Sequence, residues 1–251
     1  MQSLEDEVKV YDNVVVSCVT GETESYENTF FTNVIRKREL DFIKRVVQER
    51  QPMLVLDYGC GGGWLSRLIC KWGFKVVGID LSKKLVKVAK LVCREGDFVV
   101  CDAMRLPFRD DVFDFVIGIS ILHHLPNIGL AFRELKRTSL PSAEFLFMEP
   151  NLLNPFSAFG RKFFPMEAHT KGEKPFTFGY FKSALLLAGF KVEQYFAMFF
   201  LSFPVARFLK IVRMKPPLWL VRIFSLFEAF TEKAPVFRFL NSTIVALAKL
   251  A

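Results

Sequence analysis

The chain has 251 residues, enough for one α/β domain with elaborations and a large buried core. Hydrophobic residues make up 51% and charged residues 24%, which excludes a disordered chain, and five scattered cysteines (Cys18, Cys60, Cys70, Cys93, Cys101) without ligand spacing argue against zinc or any other metal centre. A net charge of +8 describes either a plainly basic surface or one that meets an anionic partner: nucleic acid, lipid or substrate.

Residues 1–30 read as irregular apart from a β-like run, Asn13–Cys18. Met1–Glu7 is acidic and polar, so no signal peptide is expected, and the thiols are expected to be reduced in a cytoplasmic protein. From Phe31 to Arg50, apolar residues at helical spacing predict an amphipathic helix that stops before Pro52. Strand and helix then alternate. Strands are predicted at Met53–Leu56, Lys75–Ile79, Phe98–Cys101, Phe113–Gly118 and Glu144–Met148. Helices are predicted at Trp64–Trp72, from a Ser82 cap to Val92, and at Ile128–Thr138. This rhythm predicts an α/β fold with a doubly wound, mainly parallel sheet. After Pro150 come a proline-rich loop to Phe176, a helix over Thr177–Ala188, a strand over Phe190–Phe200, an insertion over 201–238 and a last strand over Ser242–Lys249.

The most informative stretch is Leu54-Val55-Leu56-Asp57-Tyr58-Gly59-Cys60-Gly61-Gly62-Gly63-Trp64, a strand running through an acid into a glycine turn and a helix start. A dinucleotide fingerprint, G-x-G-x-x-G, would put its third glycine on Trp64 or on Ser66, so neither frame fits. Asp57 would repel a pyrophosphate and suits a cationic ligand. Gly59 and Gly61 would let backbone amides approach that ligand closely. About 20 residues further on, Asp80 ends the second strand at a distance suited to ribose hydroxyls, with Leu81 beside it.

The pattern D-x-G-x-G-x-G over Asp57–Gly63 resembles motif I of the class I S-adenosylmethionine (SAM)-dependent methyltransferases. Asp102-Ala103-Met104-Arg105-Leu106-Pro107-Phe108, then Phe113-Asp114-Phe115-Val116, and His123-His124-Leu125-Pro126 after the fourth strand, resemble the ubiquinone/menaquinone-biosynthesis-like branch of that class. The resemblance spans roughly Met53–Pro150 and implies a Rossmann-like seven-stranded sheet in the order 3-2-1-4-5-7-6, its last strand antiparallel. It implies SAM as cofactor, no metal, and a site formed by Asp57, Tyr58, Gly59, Cys60, Gly61, Asp80, Leu81, Asp102, Ala103, Gly118 and Ile119. Asp80 would hold the ribose, Asp102 the adenine amino group, and Ala103 would back the ring. The chain then divides into an N-terminal helical cap (1–50), a SAM-binding core (51–150), a substrate-side loop, helix and strand (151–200), the insertion (201–238) and the last strand (239–251).

The acceptor is less constrained. Alignment supplies most of the rate of an in-line methyl transfer, and an oxygen or carbon acceptor also needs a base. His124 and Glu149 are the catalytic candidates, with His123, His169 and Asn151 as further polar groups near the sheet's carboxyl edge. Gly118-Ile119-Ser120-Ile121 stands where amino-methylating nucleic-acid enzymes carry an (Asn/Asp)-Pro-Pro-aromatic tetrad, which argues against a nucleic-acid substrate. Of 29 phenylalanines, 20 lie at or after Phe145, and residues 201–238 hold seven basic and two acidic residues. Arg207, Lys210 and Arg213 share one helical face there, and beyond Pro216-Pro217 a narrow polar stripe (Arg222, Ser225, Glu228, Glu232) opposes a wide apolar one. The insertion reads as a lid, a membrane-interface contact at the inner face of the membrane, or a dimer surface, and each apolar run in it is too short to span a bilayer. The expected function is methyl transfer to a small, hydrophobic or lipid-linked acceptor by a monomer or homodimer. The alternative is a non-catalytic SAM-fold module that docks a membrane or a protein.

Overall fold

A computed structural model describes residues 37–157, 174, 176–202, 204, 205, 209, 216–237 and 239–251. Seven strands form one sheet: β1 (Val55–Tyr58), β2 (Val76–Asp80), β3 (Asp97–Val100), β4 (Phe113–Ile119), β5 (Ser139–Pro150), β6 (Phe190–Met198) and β7 (Thr243–Leu250). Their order is β3-β2-β1-β4-β5-β7-β6. β1 to β5 pair in parallel, and β7 runs antiparallel to both β5 and β6, as the family resemblance implied. The helices are α1 (Lys37–Arg50), α2 (Trp64–Lys71), α3 (Lys83–Val92), α4 (Ile128–Thr138), α5 (Phe178–Leu187) and α6 (Leu218–Lys233).

The central strands bury both faces, and alternate residues serve two separate cores. Leu56, Tyr58, Val116 and Phe147 point to one side, where Phe132 and Leu135 of α4 and Phe181 of α5 pack. Val55, Phe115, Ile117 and Met148 point to the other, against Phe42, Ile43, Val46 and Val47 of α1 and Leu65 and Ile69 of α2. Asp57 falls on this second side by the same alternation.

The helix starts follow local chemistry. Ser82, Asn127 and Thr177 accept hydrogen bonds from Leu85 N, Leu130 N and Tyr180 N, so α3, α4 and α5 begin on side-chain caps. Gly73 and Gly189 take positive φ just beyond α2 and α5, where a left-handed residue ends a helix.

Two strand starts differ from expectation by more than one residue. β1 begins at Val55 rather than Met53, because the amides of Met53 and Leu54 donate to the Asp114 carboxylate at 2.6 and 2.9 Å instead of joining the ladder. β5 begins at Ser139 rather than Glu144. Ser139 pairs with Phe113, and the register then shifts to Phe115 opposite Glu144, which places Pro141 in a bulge where its missing N–H breaks no ladder bond. The first turns of the predicted 31–50 helix, His169 and the basic trio Arg207, Lys210 and Arg213 lie outside the described residues.

Candidate active site

The carboxyl ends of β1, β4 and β5 open onto a cavity of about 210 Å³, lined by Asp57, Gly59, Cys60, Trp64, Leu65, Ile119, Ser120, Met148 and Thr243, with Glu39 of α1 closing it. Asp57 is 3% exposed. Ser66 Oγ donates to its Oδ2 at 2.6 Å from the first turn of α2. Burial raises its carboxyl from an ordinary 3.8 to about 7; Ser66 pulls it down and the neighbouring Asp80 charge adds to the rise. With Glu39 also buried, two acids face one small volume. That is an environment for a cation, and a hostile one for a phosphate.

The glycine turn is tied to the end of β2. The Gly59 and Cys60 amides both donate to Ile79 O at 3.0 and 2.8 Å, and the Gly61 amide donates to Asp80 Oδ2 at 2.9 Å. The amides expected to face a ligand are therefore spent on β2, and the turn offers a close backbone surface instead. Gly59 has φ +80°, and a Cβ there would lie 2.8 Å from Ile121. Gly61 has φ +52°, and a Cβ there would meet nothing within 4 Å, so it borders open space.

Asp80 holds this turn and starts the next one, since its Oδ1 accepts from Ser82 N at 2.8 Å. Burial pushes its carboxyl above the ordinary range, opposed by the Ser82, Gly61 and Leu81 amides and by the neighbouring His124. The carboxylate keeps lone-pair capacity for a ligand hydroxyl. Leu81 is exposed beside it. Asp102 follows β3 and is half-buried, its Oδ1 accepting from Met104 N at 2.8 Å. Tyr58 is not at the cavity: it is fully buried, and its hydroxyl donates to Ala103 O at 2.7 Å, which fixes the Asp102-Ala103 loop against β1. Gly118 packs under Phe147 and Ile121, so β4 and the turn after it approach closely.

That turn is built on Glu149. The side chain is fully buried; Oε1 accepts from Ile121 N and Leu122 N at 3.0 and 2.8 Å, and Oε2 lies 2.7 Å from His123 Nδ1. Its carboxylate faces the short helix Leu122–His124 and does not line the cavity. Ser120, at φ 54°, turns the chain from β4 into this helix. The His123 and His124 rings lie 4.0 Å apart, His123 inward and His124 half-buried toward Asp80. Asn151 is buried, and its amide donates to Phe239 O and Asn241 O, joining the end of β5 to the approach to β7.

The expected site did not include Glu39, Trp64, Leu65, Ser66, Ser120, Met148 or Thr243. Only Ser66 carried a usable signal, since one polar residue on the inward face of α2 stands nine residues from the motif acid.

These residues fit SAM. Buried acids match a ligand bearing an ammonium and a sulfonium, the space beside Gly61 admits it, and Asp80 and Asp102 stand at the next two strand ends. Residues 56–147 match the family model described as Methyltransferase domain. The chain is 31% identical over 127 residues to probable tRNA methyltransferase 9B of Mus musculus, covering 48% of this chain and 27% of that protein. It is 37% identical over 84 residues to a ubiquinone biosynthesis O-methyltransferase of Pelagibacter ubique, covering 32% of this chain and 35% of that one. The matched segment thus spans about a quarter to a third of the length of these relatives. A TehB-like SAM-dependent methyltransferase from Corynebacterium glutamicum superimposes with a TM-score of 0.53 at 18% identity, covering 86% of this chain and 95% of that chain, which establishes the shared fold. Residues 56–147 therefore form a methyltransferase domain with the class I SAM-dependent fold, and their relatives include ubiquinone-biosynthesis O-methyltransferases.

Proposed function

We propose that the protein is a SAM-dependent methyltransferase that acts on a small hydrophobic or lipid-linked acceptor. One observation carries the acceptor class. The acid-lined cavity opens at the carboxyl edge of the sheet, and the chain leaving β5 there exposes Leu152, Leu153 and Phe156 instead of covering them. Relatives named for tRNA and for ubiquinone biosynthesis share the cofactor segment, so specificity is assigned to the parts outside it.

When bound, SAM supplies an electrophilic methyl group on a good leaving group. The residues of this chain do the rest. Asp57 and Glu39 hold positive charge at the cavity, and the free lone pairs of Asp80 take ribose hydroxyls. Asp102 accepts the adenine amino group, with Ala103 behind the ring. His124, half-buried beside Asp80, is the candidate base for an acceptor proton. Glu149 acts through the His123 turn and is a positioning residue.

The test is incubation of the purified chain with methyl-labelled SAM and a total cell extract, followed by partition between organic and aqueous phases. Label in the organic phase supports the reading. Label confined to tRNA or to polar metabolites contradicts it.

A further inference from the structure

Helix α6 is inside out. Its acids face the protein: Glu228 is fully buried and accepts from Phe200 N, Leu201 N and Ser202 Oγ at 2.6, 2.8 and 2.8 Å. Thr231 is buried one turn on, and Glu232 pairs with Arg38 of α1 at 2.6 Å. Val221 and Phe224 complete this inward face against the α1 side of the sheet. The opposite face carries Trp219, Ile223, Leu226 and Phe230, at 63, 56, 72 and 62% exposure, with Phe227 beside them. At 3.6 residues per turn these five side chains fall within an arc of about 100°. Val236 and Phe239, also exposed, continue the surface past the helix end.

The charges select what covers this face. Residues 201–238 contain two acids, Glu228 and Glu232, and both point inward or are paired. The exposed charges of α6 are Arg222 and Lys233, which flank one edge of the apolar arc. An apolar face edged by cations, with its anions withdrawn, complements the interface of a bilayer with anionic headgroups, where basic side chains reach outward while the apolar face sinks. Among the described residues no helix is long and apolar enough to cross a membrane.

We propose that the outward face of α6 docks the protein on an anionic lipid surface. The geometry ties this contact to the cavity, because Glu232 holds Arg38 and the next residue, Glu39, closes the acid-lined pocket. The proposal does not rest on methyl transfer, and a protein that bound lipid without SAM would still satisfy it.

The test is flotation of the full chain with vesicles of phosphatidylcholine, alone or mixed with phosphatidylglycerol, together with the emission of Trp219 assigned by a Trp219→Phe variant. Two basic residues at roughly fivefold each predict about 25-fold stronger binding to the mixed vesicles, reduced by salt, with a blue shift of Trp219. Leu226→Glu with Phe230→Glu is expected to lower binding at least about tenfold. S-adenosylhomocysteine affinity, measured in parallel, reports that the variant is folded and keeps failure here distinct from failure of the enzymatic reading. Protein that stays out of the floated fraction overturns the proposal, as does equal binding to both vesicle types. A Trp219 signal already blue-shifted and unmoved by vesicles would mean that the chain itself covers the face. A dimer in light scattering that the double substitution dissolves would assign the face to a second copy. Either of these last results also overturns it.

Discussion

Replacing Asp57 with Asn should stabilise the cofactor-free protein at neutral pH while damaging its site. Burial lifts the folded carboxyl from an ordinary 3.8 to about 7, so between these values the folded state holds a proton that the unfolded chain has lost. Stability from this group therefore falls as pH rises through that window, with no penalty below about pH 4 and the full penalty above about pH 7. At about 1.4 kcal/mol per pH unit, the full penalty is about 4 kcal/mol. Asn keeps an acceptor for Ser66 Oγ but brings a buried NH₂, which costs about 1–3 kcal/mol if it finds no partner. The net gain near neutral pH is then about 1–3 kcal/mol, or a rise in Tm of roughly 2–12 °C at about 2–4 °C per kcal/mol for a domain of this size. Below about pH 4 the sign reverses, because the acid is protonated in both the folded and the unfolded chain and only the cost of the amide remains. Thermal denaturation by circular dichroism in the two pH ranges, without cofactor, checks this. A variant less stable than wild type by the same amount at both would refute the assignment of a strained, buried charge.

Other outcomes follow from the same site. Asp80→Ala should weaken S-adenosylhomocysteine by about ten- to hundredfold, the value of hydrogen bonds to a charged acceptor, as read by calorimetry. Gly59→Ala should lower stability by more than the roughly 1–2 kcal/mol of a left-handed alanine, since its Cβ meets Ile121, whereas Gly61→Ala should stay near that figure and lose mainly cofactor affinity. Urea titrations of the two glycine variants separate these effects. Glu149→Gln should cost about 1–3 kcal/mol in the same assay, because a neutral amide replaces the charged acceptor of the Ile121 and Leu122 amides.

The strand–helix rhythm was readable because a doubly wound sheet repeats one short solution. Apolar β-formers must cross its buried centre, and glycines or capping residues must turn the chain at each end. Asp57, Gly59 and Gly61 stood out because an acid and left-handed glycines at a strand end need a reason. Glu39 did not, since an acid early in an amphipathic helix is ordinary on any surface, and only the packing of α1 brings it over β1. Periodicity in α6 revealed two faces but not which one turns inward. That depends on Glu228 meeting the unpaired amides of Phe200 and Leu201, a contact across 27–28 residues. Glu149 was visible as a polar group at a strand end, but its service to the His123 turn depends on a register that no local pattern encodes.

Calorimetric titration of the wild-type chain with S-adenosylhomocysteine, with NAD as control, tests the central claim most directly. Micromolar binding of the first and none of the second is the predicted result. Binding of NAD, or of neither ligand, would contradict the assignment of Asp57, Asp80 and the glycine turn as a working SAM site.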